Sequence, residues 1–373
     1  MALSKIRSDS MTDAAIQSNR NLIINGAMQV AQRGTSAVAA GAGTYPSIDR
    51  FKAWESTDGA FTVEQSTTAP AGFTTSFKAQ VTTADTSLAA AQYAQISQQI
   101  EAQNLQYLEY GTSGAKTLTL SFHVRSSKTG SYSITIYKSD ATSYLFNKSY
   151  TIDSADTWEK KTITITPDSN IKASGGAIAN DNGIGFYVFW NLAAGTNYDD
   201  ATDNTWSSNT SHFNTSSQVN WMDNTSNNFY LTGVQLEIGD LASPFEHEDY
   251  GTTLAKCQRY LYRRNMTIYD TAFQGFAQAN YGSYVIPLPV TMRITPSCSQ
   301  GSGIYCWYNQ AGSITTQTGL AVTYMNTTTA DVSTVFVRAA ANSALASNTY
   351  SLSLLGYDGS GSINTHISLD AEL

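Results

Sequence analysis

The fold is decided by the stretch from Asn228 to Arg263, which reads NFYLTGVQLEIGDLASPFEHEDYGTTLAKCQRYLYR. Its first part alternates, and one alternate set consists of Tyr230, Thr232, Val234, Leu236 and Ile238. Alternation of this kind predicts a β-strand with one buried face. Leu254, Cys257 and Leu261 then recur at helical spacing, which predicts a short helix capped by Asp249 or Thr252. The stretch is therefore predicted to close one β domain and to lead into another.

The sequence before and after this stretch is also typical of β structure. The predicted strands before it, together with its own, are Phe73–Val81, Gln92–Ile100, Thr117–Arg125, Tyr132–Tyr137, Thr162–Thr166, Ile184–Leu192 and Phe229–Ile238. No long helical period separates them, which excludes a βαβ architecture. We predict an all-β chain with an N-terminal arm (1–20), a jelly-roll sandwich (21–248), a linking helix (249–264) and a smaller antiparallel β domain (265–373).

The composition excludes several classes of protein. The chain has 373 residues, enough for two cores, and carries a formal net charge of −8 with only 13% charged residues. Binding to nucleic acid needs clustered Lys and Arg, so no nucleic-acid partner is expected. No apolar run reaches the roughly 20 residues that span a bilayer, so no membrane insertion is expected.

The three cysteines have no metal-ligand spacing, which fits a reducing cytoplasm. A disulfide between Cys298 and Cys306 stays open as an alternative.

Four segments carry a resemblance to a known family. They are NLIINGAMQVAQRGTS with YPSIDRFKAW (Asn21 to Trp54), GVQLEIG, SPFE and CQRYLYR (within Gly233 to Arg263), PVTMRITPS (Pro289 to Ser297) and the terminal LDAEL (Leu369 to Leu373). In this order they resemble bacteriophage tail-fibre and minor tail proteins, in which a carbohydrate-binding-module-like jelly roll leads into a distal β domain. Gln235, Glu237, Phe245 and Glu246 carry part of the resemblance and are expected to be structural.

The resemblance implies a role in the virion. It implies a tail or surface appendage, made in the bacterial host cytoplasm, that attaches the particle to its host by binding a cell-surface glycan. It also implies a homotrimer that contacts other tail or capsid proteins through the N-terminal arm. One alternative is a purely structural virion protein, such as a head fibre, decoration protein or tail adaptor. A second alternative is a polysaccharide-degrading tailspike.

Catalytic motifs are missing from the sequence, so no enzyme is expected. The four histidines (His123, His212, His247 and His366) are isolated, and no nucleophile, metalloprotease or dinucleotide motif is present. Two carboxylates could still serve a glycan hydrolase. The candidates are Asp199, Asp200, Asp203, Asp223, Glu237 and Glu246, for which solvated loop acids are the alternative interpretation. No cofactor is expected, although an Asp/Asn-rich loop would suit calcium.

The region between Ala193 and Asn228 holds the candidate ligand site. It is poor in aliphatic residues but contains aromatic and amide side chains. Sugar rings stack their C–H faces on aromatic rings, and polar groups bind their hydroxyls. The candidate glycan site consists of Tyr198, Asp199, Asp203, Trp206, Asn209 and Trp221. The alternative is that Trp206 and Trp221 anchor the loop to the sandwich; Trp54, Trp158 and Trp190 are predicted to be core residues.

Overall fold

The computed structural model describes residues 19–266, 271–278, 281–300, 304–310, 313–314, 322–325, 332–340, 351–356 and 365–373. The chain divides into two compact units, the first ending at Thr253 and the second beginning at Leu254. The predicted N-terminal arm lies outside the described residues, apart from its last two positions. Among the residues described, no helix has the length and hydropathy needed to cross a membrane.

The first unit is a two-sheet sandwich. Its strands are β1 (Val38–Ala39), β2 (Ala42–Thr44), β3 (Lys52–Ser56), β4 (Ala60–Ser66), β5 (Ser76–Thr83), β6 (Tyr93–Glu101), β7 (Leu118–Ser126), β8 (Gly130–Lys138), β9 (Tyr144–Ile152), β10 (Glu159–Ile165), β11 (Ile184–Ala194), β12 (Thr205–Ser207) and β13 (Asn228–Ile238). Short 3₁₀ helices occupy Ala102–Leu108, Ser174–Gly176 and Trp221–Asp223. Each predicted strand overlaps an observed one, whereas β1 to β4, β9 and β12 were not predicted.

The order of the strands is that of a jelly roll. One sheet runs β1-β4-β5-β13-β7-β10, and the other runs β12-β9-β8-β11-β6-β3-β2. The pairs within both sheets are antiparallel, and many neighbours are distant in sequence, as with β5 and β13. Closing two sheets face to face in this way buries their inner faces. The predicted all-β jelly-roll sandwich is confirmed.

Aromatic side chains from both sheets fill the core between them. Trp190 is fully buried, with its ring centroid 6.0 Å from Phe122 and 6.2 Å from Phe51. Its predicted core position is confirmed. Trp54 and Trp158 are only half-buried and lie outside this core cluster, which corrects the prediction for both. Trp54 is directed away from the core by its position in the alternation of β3, whereas Trp158 precedes β10 and packs against Tyr230 with ring centroids 6.0 Å apart.

The alternation of β13 breaks at Gly233. This residue has a φ of +61°, and the register with β7 shifts between Thr232 and Gln235. Such a bulge adds a residue and reverses the phase of the alternation. Residues Phe229 and Leu231 therefore face the core before the bulge, and Val234 and Leu236 face it afterwards. The predicted single face, which placed Tyr230 and Thr232 with Val234, is corrected, because both faces of the strand are buried.

The N-terminal motif is joined to β13 by paired hydrogen bonds. Asn21 donates from Nδ2 to the Val234 carbonyl (2.9 Å) and accepts at Oδ1 from the Leu236 N–H (3.0 Å). The Val234 N–H in turn donates to the Gly26 carbonyl (3.0 Å). A Cβ atom at Gly26 would lie 2.1 Å from the Val234 carbonyl oxygen, so only glycine permits this approach. Two of the resembling segments thus hold each other in place.

The residues that follow β13 form a hydrogen-bond network with it. Gln235 donates to Glu237 (2.8 Å) and to Ser243 (3.0 Å), and it accepts from the Glu246 N–H (2.7 Å). Ser243 donates to Glu237 through its N–H (2.8 Å) and its hydroxyl (2.6 Å). The Glu246 carboxylate accepts from the Asn21 N–H (2.8 Å). These polar residues are structural, as expected.

A short helix, α1 (Tyr250–Gln258), follows the network. Asp249 caps it, because its carboxylate accepts from the N–H (3.0 Å) and the hydroxyl (2.6 Å) of Thr252. Of the two predicted caps, Asp249 is therefore the one used. Cys257 is buried, but Leu261, the last member of the predicted helical stripe, belongs to the next strand.

The second unit is also antiparallel β structure. Its strands are β14 (Leu261–Met266), β15 (Thr271–Gln278), β16 (Tyr281–Met292), β17 (Ser297–Gln300), β18 (Ile304–Gln310), β19 (Ser313–Ile314), β20 (Val322–Met325), β21 (Val332–Ala340), β22 (Ser351–Gly356) and β23 (Thr365–Asp370). They form one sheet in the order β14-β23-β17 and a larger one in the order β19-β18-β22-β15-β16-β21-β20. The predicted smaller antiparallel β domain is confirmed. Cys298 is a free thiol, and the side chain of Cys306 lies outside the described residues.

The remaining resembling segments meet within this unit. Arg293, which is 8% exposed, donates to the carbonyls of Ala371 and Glu372, both at 2.8 Å. Its N–H donates to the Arg259 carbonyl (2.9 Å), and the Ala371 N–H donates to the Tyr260 carbonyl (2.7 Å). The guanidinium thus supplies hydrogen-bond donors to two backbone carbonyls of the terminal segment. PVTMRITPS, LDAEL and CQRY are therefore mutually dependent.

Candidate functional site

The outer face of the second sheet of the sandwich carries aromatic side chains. Successive residues of a strand point to opposite faces, so Val188 and Trp190 of β11 enter the core. Tyr187, Phe189 and Asn191 accordingly point outward. The Tyr187 and Phe189 ring centroids lie 5.6 Å apart and the rings are within 3° of parallel, so the two rings stack on each other and make this face of the strand apolar.

Strand pairing extends that surface sideways. On β8, Tyr137 is the register partner of Tyr187, and their rings stack at 5.4 Å with an interplanar angle of 26°. On the other side, Gln95 of β6 pairs with both Asn191 of β11 and Trp54 of β3. Side chains on register partners share a face of the sheet. Residues distant in sequence thus form one continuous patch.

The loop between β11 and β13 adds a wall. Its Tyr198 ring lies 5.5 Å from Tyr93 of β6, and its Phe213 ring lies 5.7 Å from Phe189. Tyr198 and Phe213 also contact each other at 6.1 Å. The result is a groove of about 280 Å³, here called the aromatic groove. It is lined by Trp54, Tyr93, Gln95, Tyr137, Tyr187, Phe189, Tyr198 and Phe213.

Hydrogen bonds fix this wall to the sheet. The Phe213 carbonyl accepts from Thr135 Oγ1 (2.5 Å) and from Asn191 Nδ2 (3.1 Å). Next to it, Asn214 accepts from the Ser133 hydroxyl (2.8 Å), and its N–H donates to the Tyr198 carbonyl (2.8 Å). These bonds reach the backbone of both aromatic residues of the loop and so fix the position of the wall on the sheet.

Trp54 presents its ring at one side of the groove. Its indole N–H donates to Ser97 Oγ (2.8 Å), so the nitrogen is committed to the sheet. Gly43 lies behind the ring with a φ of +82°, and a Cβ atom there would lie 2.7 Å from the ring. Lys52 Nζ lies 4.7 Å from the ring centroid, within the range of a cation–π contact. These contacts hold the half-buried ring in place at the side of the groove.

The side chains that line the groove are uncharged at neutral pH. Burial, helped by the neighbouring Tyr137, raises the pKa of Tyr187 above its ordinary value. Burial, helped by Tyr198, likewise raises the pKa of Tyr93. The hydroxyls of Tyr93 and Tyr187 therefore stay protonated through the physiological range.

The structure distributes the predicted site residues over different surroundings. Tyr198 lines the aromatic groove, while the half-buried Asp199 follows it in sequence without lining the groove. Asp203 forms a salt bridge with Lys148 (2.7 Å) and accepts from the Ser149 N–H (2.6 Å). Burial raises the pKa of Asp203, but these two partners outweigh it and leave the pKa below its ordinary value. Exposed Asn209 accepts from the Ser211 N–H in its own turn (3.2 Å) and does not line the groove.

The two tryptophans of the predicted site are buried. Trp206 is 4% exposed, packs on Phe146 (5.4 Å) and donates from Nε1 to the Thr166 carbonyl (3.0 Å). Trp221 is fully buried against Phe61 (5.6 Å). Neither ring has a face free for a ligand, so both residues are removed from the candidate site. The alternative interpretation, that both anchor the loop to the sandwich, agrees with the structure.

Most residues of the aromatic groove were not predicted from the sequence. Trp54, Tyr93, Gln95, Tyr137, Tyr187, Phe189 and Phe213 line the groove but were not predicted as ligand-binding residues. The signal available was alternation, since IGFYVFWNLAA and ITIYK place aromatic residues on the outward face of predicted strands.

Three further predicted carboxylates, Asp223, Glu237 and Glu246, contribute to structure. Asp223 pairs with Lys128 and accepts from Asn227 Nδ2 (2.8 Å). Glu237 and Glu246 belong to the network after β13. Within the described ranges, no group of three or more His, Cys, Asp or Glu side chains is placed to hold a metal ion.

Comparisons with known proteins locate similar folds at low identity. No protein-family model and no curated protein sequence matches the chain. A candidate sugar-binding protein of Bacteroides thetaiotaomicron aligns over 59% of this chain and 100% of its own, with 13% identity and a TM-score of 0.32. The enzymatically active domain of tailspike protein 4 of bacteriophage CBA120 aligns over 59% of this chain but 22% of its own, with 11% identity and a TM-score of 0.29.

A binding module gives a similar alignment. The family 11 carbohydrate-binding module of Clostridium thermocellum, solved with a β-1,3-1,4-mixed-linked tetrasaccharide, aligns over 56% of this chain and 99% of its own. Its identity is 10% and its TM-score is 0.28. Alignments this weak transfer neither a ligand nor an activity to this chain.

Proposed function

We propose that this chain is a bacteriophage tail-fibre or related virion appendage protein that binds a host cell-surface glycan in the aromatic groove. The main observation in support of glycan binding is the groove itself. The stacked rings of Tyr137, Tyr187 and Phe189 line it with aromatic groups, which the apolar C–H faces of sugar rings can contact. Ligand pockets occupy about 300–1,000 Å³, so a groove near the lower limit suits a short stretch of glycan.

The charge of the groove favours sugar over nucleic acid. Nucleotide bases also stack on aromatic rings, but their binding requires a positively charged path for the phosphates. The lining residues are of uncharged types, the Lys52 ammonium over the Trp54 ring is a single cation and not a charged path, and the chain carries a net charge of −8. An uncharged polyol meets no such obstacle.

The proposal includes binding without catalysis. Glycoside hydrolysis requires two carboxyl groups facing the scissile bond. Asp203, Asp223, Glu237 and Glu246 each hold another part of the chain through a salt bridge or hydrogen bond. A carboxylate committed in this way is a poor candidate for a general acid or nucleophile, which supports a binding role.

The virion setting rests on the resembling segments. Their contacts supply a physical reason for their residue types: Asn21 and Gly26 join β13, and Arg293 joins the C-terminal residues. We propose the homotrimer and the N-terminal arm as parts of the same function. A purely structural virion role is the competing outcome.

Two experiments test the proposal. In the first, purified full-length protein is applied to an array of bacterial surface glycans. In the second, a labelled antibody against the protein is applied to phage particles. We expect selective binding by the wild type, strongly reduced binding by Trp54→Ala, and labelling at a tail or surface appendage. Tyr107→Ala is the matched control, because Tyr107 is 39% exposed and lies outside the groove. Capture of other virion proteins without any glycan binding would establish the structural role, and release of sugar products would establish an enzyme.

A further inference from the structure

Gln95 is the amide among the residues lining the aromatic groove. It lies on β6 between Trp54 of β3 and Asn191 of β11, and only 5% of it is exposed. A buried amide amid aromatic rings needs a hydrogen-bond partner for each of its polar atoms. Its Nε2 donates to Asn191 Oδ1 at 2.9 Å.

A chain of hydrogen bonds fixes the direction of that amide. It begins at the Phe213 carbonyl, which can only accept, so the Asn191 atom that faces it must be the donor Nδ2 (3.1 Å). Asn191 Oδ1 is therefore the atom that faces Gln95. Since an amide oxygen cannot donate, Gln95 must present Nε2 to it and direct Oε1 elsewhere.

Gln95 Oε1 is left as an acceptor without a donor. It accepts no hydrogen bond from the described part of the chain, and it is not among the fully enclosed unpaired atoms. Since Gln95 lines the groove, its oxygen is available to a ligand there. The hydrogen bonds that link Phe213, Asn191 and Gln95 therefore anchor the loop to the sheet and also orient this acceptor.

We propose that Gln95 Oε1 is the specificity-determining group of the groove and requires a hydroxyl donor from the ligand. The ligand class is then a glycan that directs a free hydroxyl, and neither an ether, an ester nor a carboxylate, to this contact. An ether, an ester or a carboxylate would present another acceptor to Oε1 in a poorly solvated place, where the unmatched atoms are costly. This inference rests on the proposed glycan-binding function and narrows it.

The test compares the affinity of the protein for glycans with free hydroxyls and for the same glycans with methylated hydroxyls. The probes are cello-, malto- and mannohexaose, their per-O-methylated forms, and acidic glycans containing uronic or sialic acid, together with the neutral glycans bound on the array. We expect the wild type to bind a neutral glycan at least tenfold more tightly than its O-methylated form. Gln95→Met, which keeps the length of the side chain but removes the acceptor, should bring that ratio close to one.

A control variant and a second measurement secure the interpretation. Gln103→Met alters an exposed glutamine outside the groove and should leave the ratio unchanged. Should Gln95→Met fail to fold, the wild type can still refute the proposal, because equal binding of free and methylated forms would overturn the role of Gln95 while leaving glycan binding intact. An unchanged ratio in a folded Gln95→Met protein would overturn it as well. Absence of binding to every glycan would overturn both.

Discussion

Tyr187 and Phe189 lie side by side on the outer face of β11, with their rings 5.6 Å apart and only 3° from parallel. The residue between them, Val188, points into the core of the sandwich. One strand therefore contributes to the stability of the fold through one face and to the aromatic groove through the other. Changes on the two faces should consequently have separable effects.

Replacing Tyr187 should weaken glycan binding without unfolding the protein. The ring is half-buried, stacks on Tyr137 and Phe189, and faces the groove. We expect Tyr187→Ala to lower affinity for the best array glycan by about tenfold or more, since aromatic contacts contribute on the order of 1 kcal/mol beyond their buried area. Isothermal titration calorimetry measures the loss. Tyr187→Phe should retain most of the affinity, and an unchanged affinity in Tyr187→Ala would argue against the groove as the site.

The groove illustrates what alternation can and cannot predict. The pattern of IGFYVFWNLAA indicates that Trp190 is inward and Tyr187 outward, and the structure agrees. It does not indicate that β11 lies between β6 and β8, or that β3 brings Trp54 to the same face. Those neighbours follow from tertiary packing of segments distant in sequence, which local patterns do not encode.

Two errors have specific physical causes. The bulge at Gly233 reversed the phase of β13, and a bulge leaves only a glycine as its signal in the sequence. Trp206 and Trp221 occur in a polar loop, but a large ring is buried whenever the sheet offers it a site, whatever the polarity of its neighbours in sequence. The fold class was predictable because every strand contributes to it, whereas the site depends on a few tertiary neighbours.

Gly26 should tolerate no side chain. Its Cβ position is blocked by the Val234 carbonyl oxygen at 2.1 Å, and backbone cannot move aside as a flexible side chain can. We expect Gly26→Ala to lower the free energy of unfolding by about 3 kcal/mol, as overpacking does. Gly72→Ala is the control, because a Cβ atom there meets nothing within 4 Å. That control should cost about 1 kcal/mol, from its positive φ alone. Equal losses in chemical denaturation would refute the steric explanation.

Buried tyrosines should make the protein sensitive to alkali. Burial raises the pKa values of Tyr110, Tyr132 and Tyr150 above 10 in the folded state. In the unfolded chain they ionise near pH 10, so the unfolded state binds fewer protons there and stability falls as pH rises above 10. Below pH 10 their contribution is fully present. We expect absorbance at 295 nm to show these tyrosines ionising together with unfolding.

The variant Tyr150→Phe removes one of these buried hydroxyls and so tests its contribution to stability alone. The Tyr150 hydroxyl is enclosed without a hydrogen-bond partner among the described residues. Removing it should raise stability at neutral pH by about 1 kcal/mol, because an unpaired buried polar atom is costly. The alkaline transition should also move to higher pH. Tyr250→Phe, at a residue 56% exposed, should change neither quantity, and a destabilised Tyr150→Phe would indicate a partner for the hydroxyl.

Replacing Trp206 should lower stability without weakening glycan binding, the opposite of what is expected for Tyr187. Its ring is enclosed by Phe146 and Tyr110, and its N–H is bound to the Thr166 carbonyl, so it connects the loop to the core. Trp206→Ala should cost about 3–5 kcal/mol of stability, as large truncations in a core do. At a temperature where the variant remains folded, its affinity for the array glycan should stay within a few-fold of the wild type. Thermal unfolding and calorimetry on the same sample separate the two effects. A large loss of affinity in a fully folded Trp206→Ala protein would return the ligand to the loop between β11 and β13.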